Sequence, residues 1–163
     1  MPGGQWPSDP GGVQPMSSLR EQILQAVVTA LNTSRPTGVP AAERARNWAI
    51  DPDQLPKILV YAGRDSARDV GGRRGPAQEK RLELEIECWA AKSQTLSADA
   101  AADPLYLWVV KALADKTLGG LVSGLREDES SIALEEVDAQ ICLTTVRLSA
   151  TYQQRADNPE RAA

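Results

Sequence analysis

Hydrophobic and polar residues alternate without a break over residues 82–89. Successive side chains of a strand point to opposite faces, so this period of two predicts a strand with one buried face. The apolar side comprises Leu82, Leu84, Ile86 and Cys88, and the opposite side comprises Glu83, Glu85, Glu87 and Trp89. We expect the second set to face water or a neighbouring molecule.

Two other segments have the apolar spacing of amphipathic helices. The first covers residues 18–32, where Ser18 and Glu21 have the spacing of a capping box. The second is predicted over residues 103–115, with Pro104 at the first helical position, where proline is favoured.

The remaining segments rich in β-branched and apolar residues predict strands. They are a short strand within 39–50 with Trp48 facing the core, a strand at 57–62, a broken or paired strand at 121–127 and 132–135 around an acidic turn at 127–129, and a long strand at 139–152 that is bulged at Leu143 and Thr144.

Consecutive strands favour a sheet that is antiparallel or mixed. We therefore predict an α+β fold of two layers, a mixed and mostly antiparallel sheet of four to five strands with both helices on one face. The 163 residues suit one domain, which we place at residues 16–152. Residues 1–15 are rich in glycine and proline and predict a disordered N-terminal arm, and residues 153–163 predict a flexible C-terminal tail.

Composition restricts the chemistry. The chain has no histidine, which removes histidine-based triads and histidine-ligated zinc sites. Its two cysteines, Cys88 and Cys142, are too few for a disulfide framework and predict reduced, buried thiols. No apolar run is long enough for a membrane span. We expect no catalytic residue, no cofactor, no metal and no contact with a membrane.

The glutamate row on the predicted strand has two interpretations. Residues two apart on a strand are separated by about 6.8 Å, a carboxylate separation that glycoside hydrolysis uses. General acid–base catalysis, however, needs one carboxyl group whose pKa is raised by an apolar pocket. Three equivalent exposed side chains offer no such difference in environment. We therefore favour a solvated row over a catalytic one. An exposed Trp89 beside it would indicate a subunit contact.

Residues 63–80 join two predicted strands and contain four arginines, Arg64, Arg68, Arg73 and Arg74. The glycines between them match no nucleotide-binding pattern. Residues 64–81 contain six basic and three acidic residues, whereas 82–138 contain four basic and twelve acidic ones. The overall acidity, with a sequence pI of about 4.9, disfavours nucleic-acid binding. A flexible solvated hairpin tip and a protein-docking arm both remain open.

The order of these segments is similar to a known family. The strand at 55–61 (LPKILVY), the Arg/Gly segment, the strand at 81–86 (RLELEI), the helix at 105–113, the TLGGL of 117–121 and the closing ATY of 150–152 are the features that carry the likeness. Together they resemble the tail terminator proteins of long-tailed bacteriophages, the minor tail protein U type, over about residues 16–152.

The resemblance implies a structural protein of the virion tail, made in the host bacterial cytoplasm. It would form a hexameric ring that caps the tail tube, stops tube polymerisation and provides the surface to which the head docks. Its implied partners are other copies of itself, the tail tube protein and a head-tail connector or neck protein, while DNA passes through the lumen without specific binding. Glu83, Glu85 and Glu87 would then line or approach the lumen, and the arginines would reach the next subunit or the tube.

Two alternatives remain at this point. A head-side neck or head-completion connector protein shares much of the same outline. A cytoplasmic α+β ligand-binding domain or enzyme, with a pocket between sheet and helices, belongs to a different class.

Overall fold

The computed structural model describes residues 17–45, 50–69, 77–114, 116–137 and 139–162. These residues form two α-helices and six strands. The elements are α1 (Leu19–Asn32), β1 (Ala42–Arg44), β2 (Lys57–Asp69), β3 (Ala77–Ala91), α2 (Ala98–Leu113), β4 (Gly124–Val137), β5 (Ala139–Arg155) and β6 (Asn158–Ala162), with short 3₁₀ turns at Pro52–Gln54 and Leu118–Gly120. The predicted N-terminal arm lies outside the described residues.

All six strands belong to one mixed sheet with the order β1-β2-β3-β5-β4, and β6 pairs with β5. β1 is parallel to β2, and every other pair is antiparallel. The predicted α+β class with a mixed, mostly antiparallel sheet is confirmed. The sheet has six strands rather than four to five.

One apolar core joins the helices to the sheet. The alternating residues of β3 behave as the sequence predicts, because Leu82, Leu84, Ile86 and Cys88 are at most 1% exposed. α1 contributes Leu19, Ile23, Leu24, Val27 and Leu31, and α2 contributes Ala98, Ala102, Leu105, Val109 and Leu113. Both helices therefore bury their apolar faces against the same side of the sheet, which we call the helix side.

The two helix starts differ in how well the sequence predicts them. The Ser18 side chain accepts a hydrogen bond from the Glu21 backbone N–H at 3.3 Å, so the predicted cap of α1 is confirmed. α2 starts at Ala98, and Pro104 lies inside the helix. The prediction of a start at Asp103 is wrong because the alanine-rich segment before it has strong helix propensity and buries Ala98 and Ala102.

The segment predicted as a long loop, residues 63–80, is mostly strand. β2 continues to Asp69, β3 begins at Ala77, and their register shifts once, between Ala62 and Asp65. Across the pair, Arg68 contacts Glu79 at 2.7 Å. We call the described residues 63–69 and 77–81 the basic arm. The β3 half of the arm, residues 77–81, also pairs with the end of β5, a distant part of the chain.

β4 and β5 form a second long antiparallel pair. The predicted turn at 127–129 is a bulge within one continuous strand, where the register shifts between Glu127 and Glu129. The bulge predicted at Leu143 and Thr144 is absent, because both residues pair in register with β3 and β4. The flexible tail predicted after residue 152 is instead the end of β5 followed by β6.

Within the predicted strand at 39–50, the structure contains β1 (Ala42–Arg44). Trp48, predicted to face the core, lies outside the described residues. The last residue of α1, Asn32, holds β1 in place by two side-chain hydrogen bonds. Its Nδ2 donates to the Ala42 carbonyl at 3.0 Å, and its Oδ1 accepts from the Ala42 backbone N–H at 2.8 Å. β1 is thereby attached to the helix layer as well as to β2.

Candidate assembly surface

The face of the sheet opposite the helix side, here called the outer face, carries the predicted glutamate row. Because Leu82, Leu84 and Ile86 point into the core, the intervening Glu83, Glu85, Glu87 and Trp89 point to the outer face. Directly opposite Glu85 in the sheet lie Tyr61 on β2 and Arg147 on β5. The sequence prediction of a glutamate face is met.

The three glutamates are not equivalent, which corrects the sequence prediction. Glu83 is exposed and makes no hydrogen bond or ion pair with another described residue. Glu85 is half-buried and accepts a hydrogen bond from the Arg147 Nε at 3.1 Å. Glu87, also half-buried, accepts one from the Trp89 indole Nε1 at 2.8 Å. Only Glu83 therefore presents its full charge to the surroundings.

Arg147 connects three strands on the outer face. Besides Glu85, its guanidinium contacts Glu129 Oε2 through Nη1 at 3.1 Å. The three residues are directly opposite one another in the sheet, so the ion pairs run straight across β3, β5 and β4. The hydrogen bond and charge of Glu85, followed by those of Glu129, raise the pKa of Arg147. This network fixes side-chain positions, but its exposure limits its contribution to stability.

Two separate aromatic side chains, Trp89 and Tyr61, each lie beside Glu87 on the outer face. Trp89 is half-buried, so it is not the fully exposed side chain that would indicate a subunit contact. On the neighbouring strand, burial raises the pKa of Tyr61 to about 12, with smaller contributions from the charges of Glu87 and Glu85. The phenol therefore remains protonated near neutral pH. Tyr61, Glu87 and Trp89 form an amphipathic patch of a kind that is enriched in protein interfaces.

A partly open depression of about 410 Å³ lies beside the glutamate row. Gly63 lines the depression and lets its backbone approach Glu83 closely. A Cβ at this position would lie 3.1 Å from the Glu83 Cβ and carbonyl oxygen. The polar side chains that line it are Glu83, Glu85, Asp128, Glu129 and Arg147. An open site of this kind does not bury one carboxyl group away from water, as acid catalysis requires.

The four predicted arginines have different outcomes. Arg64 lies at the register shift of β2, is exposed, and makes no ion pair with another described residue. Arg68 pairs with Glu79, although its side chain is still 78% exposed. Arg73 and Arg74 lie outside the described residues. The structure thus places Arg64 and Arg68 on a paired strand, and it does not bring them onto the glutamate row.

A polar cluster that the sequence did not reveal anchors the basic arm on the helix side. The Tyr152 hydroxyl, on a side chain only 1% exposed, lies 3.2 and 3.1 Å from the two carboxylate oxygens of Asp65. Lys80 contacts the same carboxylate at 3.0 Å. Burial, followed by the charge of Asp65, raises the pKa of Tyr152. The one sequence signal for the burial of Tyr152 is alternation along β5, which places it on the same side of the strand as the buried Leu148 and Ala150.

A second feature missed by the sequence is an exposed apolar pair on β4. Ile132 is 69% exposed and Leu134 is 65% exposed. They pair with Thr144 and Cys142, which are buried on the helix side, so both point to that side. α2 does not cover them. From the sequence pattern alone, such residues would be assigned to the core. Only the structure shows that they are exposed.

No model of a known protein family matches the chain, and no curated protein matches it. Within the described ranges, no group of three or more His, Cys, Asp or Glu residues is placed to hold a metal ion. None of the helices that the structure describes has the length and apolar character needed to cross a membrane.

Proposed function

We propose that this chain is a structural protein of bacteriophage assembly of the tail terminator type, a ring subunit that caps the tail tube, stops its polymerisation and provides the head-docking surface. The observation that carries the proposal is a sheet with unpaired edges on both sides, among the described residues, and an outer face without helix cover. Sheet edges of this kind pair readily with other chains. The sequence resemblance supplies the biological setting.

Capping a tube requires copies of one subunit arranged around an axis. A ring forms when each copy uses two different surfaces, one toward each neighbour, and the rotation closes. The asymmetric sheet offers two different edges, made by β4 on one side and by β1 and β2 on the other. The outer face, with Glu83 exposed, is then proposed to approach the lumen, where negative charge repels the DNA phosphates and permits sliding.

The basic arm is proposed to contact the tube or the adjacent subunit. Guanidinium groups pair well with carboxylates at protein interfaces. Arg64 and Arg68 are both exposed, and Tyr152, Asp65 and Lys80 hold the arm against the body of the domain. The proposed partners are the tail tube protein on one side of the ring and a head-tail connector or neck protein on the other.

In vitro tube growth tests the proposal. The cognate tube protein is polymerised with and without this chain, and tube lengths are measured by electron microscopy. We expect the chain to stop growth, and we expect the variant with Ala at Arg64, Arg68, Arg73 and Arg74 to remain folded but to lose that effect. Lys111→Ala combined with Lys116→Ala, which removes two exposed positive charges elsewhere, is the matched control.

Tubes that grow unchanged in the presence of the chain would reject the terminator assignment. If the chain instead binds a purified portal complex and not the tubes, a head-side neck or connector protein is the correct assignment. Turnover or saturable binding of a small metabolite, without any assembly, would favour the ligand-binding or enzyme alternative.

A further inference from the structure

β4 is an edge strand over its whole length. It pairs with β5 on one side, and no other strand of the described ranges pairs with its far side. The bulge at Asp128 interrupts the edge once, and β4 contains no proline and no lysine. Edge strands are usually protected against pairing by such residues. From Glu129 onward the edge is regular, and the bulge at its beginning is its one protection against pairing.

The apolar pair Ile132 and Leu134 lies on this same edge strand. They are the two most exposed large hydrophobic residues of the described chain, at 69% and 65%, ahead of Leu96 at 49% and Leu107 at 45%. Alternation brings the pair to one side of β4, next to the strand's open backbone. When a strand of another chain joins a sheet edge, it pairs with the free backbone groups and buries apolar side chains beside them. The β4 edge offers both.

The opposite edge of the sheet is suited to receive it. β1 covers β2 only at Ile58–Val60, so residues 61–69 of β2 are open on that side within the described structure. β2 and β1 run opposite to β4, as follows from the pairing across β3 and β5. A second copy in the same orientation would therefore place its β1–β2 edge antiparallel to β4, the direction that the rest of the sheet uses.

The levels of the side chains along the two edges also match. Through consecutive pairs across the sheet, Ile132 lies at the level of Ala42 on β1. Val39 and Pro40, both half-buried, precede Ala42 and continue toward the level of Leu134. At this level the Asn32 side chain already binds the backbone N–H and carbonyl of Ala42, and Pro40 has no N–H. A copy placed beside β4 without a shift along the strands thus brings apolar side chains to the exposed pair, and backbone pairing is confined to the open part of β2.

Charge favours the same arrangement. β4 contains one basic and five acidic residues, whereas residues 64–81 contain six basic and three acidic ones. Part of this charge is already paired within one copy, since Arg81 contacts Asp128 at 2.9 Å and Arg147 contacts Glu129 at 3.1 Å. Ala62 and Glu127 lie at the same level across the sheet, so Arg64 of a neighbouring copy would approach the acidic part of β4. Complementary charge fixes the orientation and register of partners more than it adds affinity.

We infer that the β4 edge, with Ile132 and Leu134, binds the β1–β2 edge of a second copy of this chain, so that the sheets continue from subunit to subunit. The contact is head to tail, because the two edges differ, and it propagates into a ring or filament. The inference rests on the proposed function for its ring, and it names the surface through which the ring closes.

Sedimentation velocity of the purified full chain, from micromolar to near-millimolar concentration, tests the contact. The native chain should associate reversibly. Ile132→Lys combined with Leu134→Lys should raise the dissociation constant at least tenfold, since it places two charges where apolar contact forms. Leu96→Lys combined with Leu107→Lys is the matched control, because it changes two exposed leucines away from the edge, and it should associate like the native chain.

A mixing experiment tests the head-to-tail geometry. Arg64→Glu combined with Arg68→Glu impairs the other edge and should also weaken association. Each impaired variant keeps one intact surface, so an equimolar mixture of the two should form a heterodimer although neither associates strongly alone. A contact that used the same surface on both copies would give no such complementation.

A native chain that stays monomeric over the whole range overturns the inference, as does a β4 variant that associates like the native chain or a mixture without complementation. Circular dichroism confirms that each variant is folded. Failure of the proposed function is a separate result, since a chain can associate through β4 and still leave tube growth unchanged.

Discussion

Removal of the Tyr152 hydroxyl tests how the basic arm is held. In Tyr152→Phe, the aromatic ring stays and only the donor to Asp65 is lost. The side chain is 1% exposed, and phenylalanine fills the same space without the hydroxyl, so no substantial cavity forms. The change isolates one hydrogen bond between β5 and the start of the arm.

The structure sets the expected magnitude. Both distances to Asp65, 3.2 and 3.1 Å, belong to one hydroxyl proton, so they count as one hydrogen bond. A hydrogen bond to a charged group contributes about 1.5–3 kcal/mol. Asp65 keeps its contact with Lys80, and its side chain is 12% exposed, which lets water replace part of the lost bond. We therefore expect a loss near the lower end, about 1.5–2 kcal/mol.

Urea unfolding followed by circular dichroism measures this free energy. Tyr106→Phe is the matched control, because its hydroxyl also donates to a carboxylate, Glu127 at 3.2 Å, but in an exposed position; its loss should stay within about 0.5 kcal/mol. Equal losses in the two variants, or no loss in Tyr152→Phe, would show that burial does not make the cluster stabilising.

Three further predictions concern the core, the outer face and pH. Ile86→Ala should lower the free energy of unfolding by about 2–5 kcal/mol, because Ile86 is 0% exposed, whereas Leu107→Ala, at 45% exposure, should cost far less. Arg147→Ala should change the free energy of unfolding little, since its side chain is 57% exposed and exposed ion pairs contribute little to stability. Burial, followed by the charge of Glu87, raises the pKa of Cys88 from 9.0 to about 12, so the folded state keeps the thiol proton after the unfolded chain has lost it. Stability should therefore be intact below pH 9.0 and decline between there and about pH 12, by about 1.4 kcal/mol per pH unit for this group, and Cys88→Ala should flatten the decline.

Each of these has a contradicting result. Similar losses for Ile86→Ala and Leu107→Ala in urea unfolding would place the core elsewhere. A loss of stability for Arg147→Ala comparable with that for Ile86→Ala would give the ion-pair network a structural role that its exposure does not predict. An alkaline decline that Cys88→Ala leaves unchanged would assign it to other groups, such as Tyr61.

The sequence predicts the elements in which apolar and polar positions contrast most. The alternation at Leu82–Trp89 assigns both faces of β3, and the Ser18 and Glu21 spacing places the start of α1. The start of α2 is predicted too far along the chain, because its first residues are rich in alanine and show little contrast between buried and exposed sides. The glycines and arginines of 63–80 have the composition of a loop, and distant pairing with β5 makes much of the segment strand.

The candidate surface is less accessible to sequence reasoning. The glutamate face follows from alternation alone, but the partners of each glutamate depend on strand order and register. Arg147 lies opposite both Glu85 and Glu129 only because β5 is between β3 and β4. Likewise, Ile132 and Leu134 have the pattern of core residues, and their exposure follows from the edge position of β4 and the limited reach of α2.

Electron microscopy of tubes assembled with this chain shows whether the subunit closes a ring on the end of a tube. We expect tubes of restricted length with one ring of extra density at one end, and loss of both with Ile132→Lys combined with Leu134→Lys. Tubes of unrestricted length with bare ends, in the presence of folded chain, would contradict this expectation.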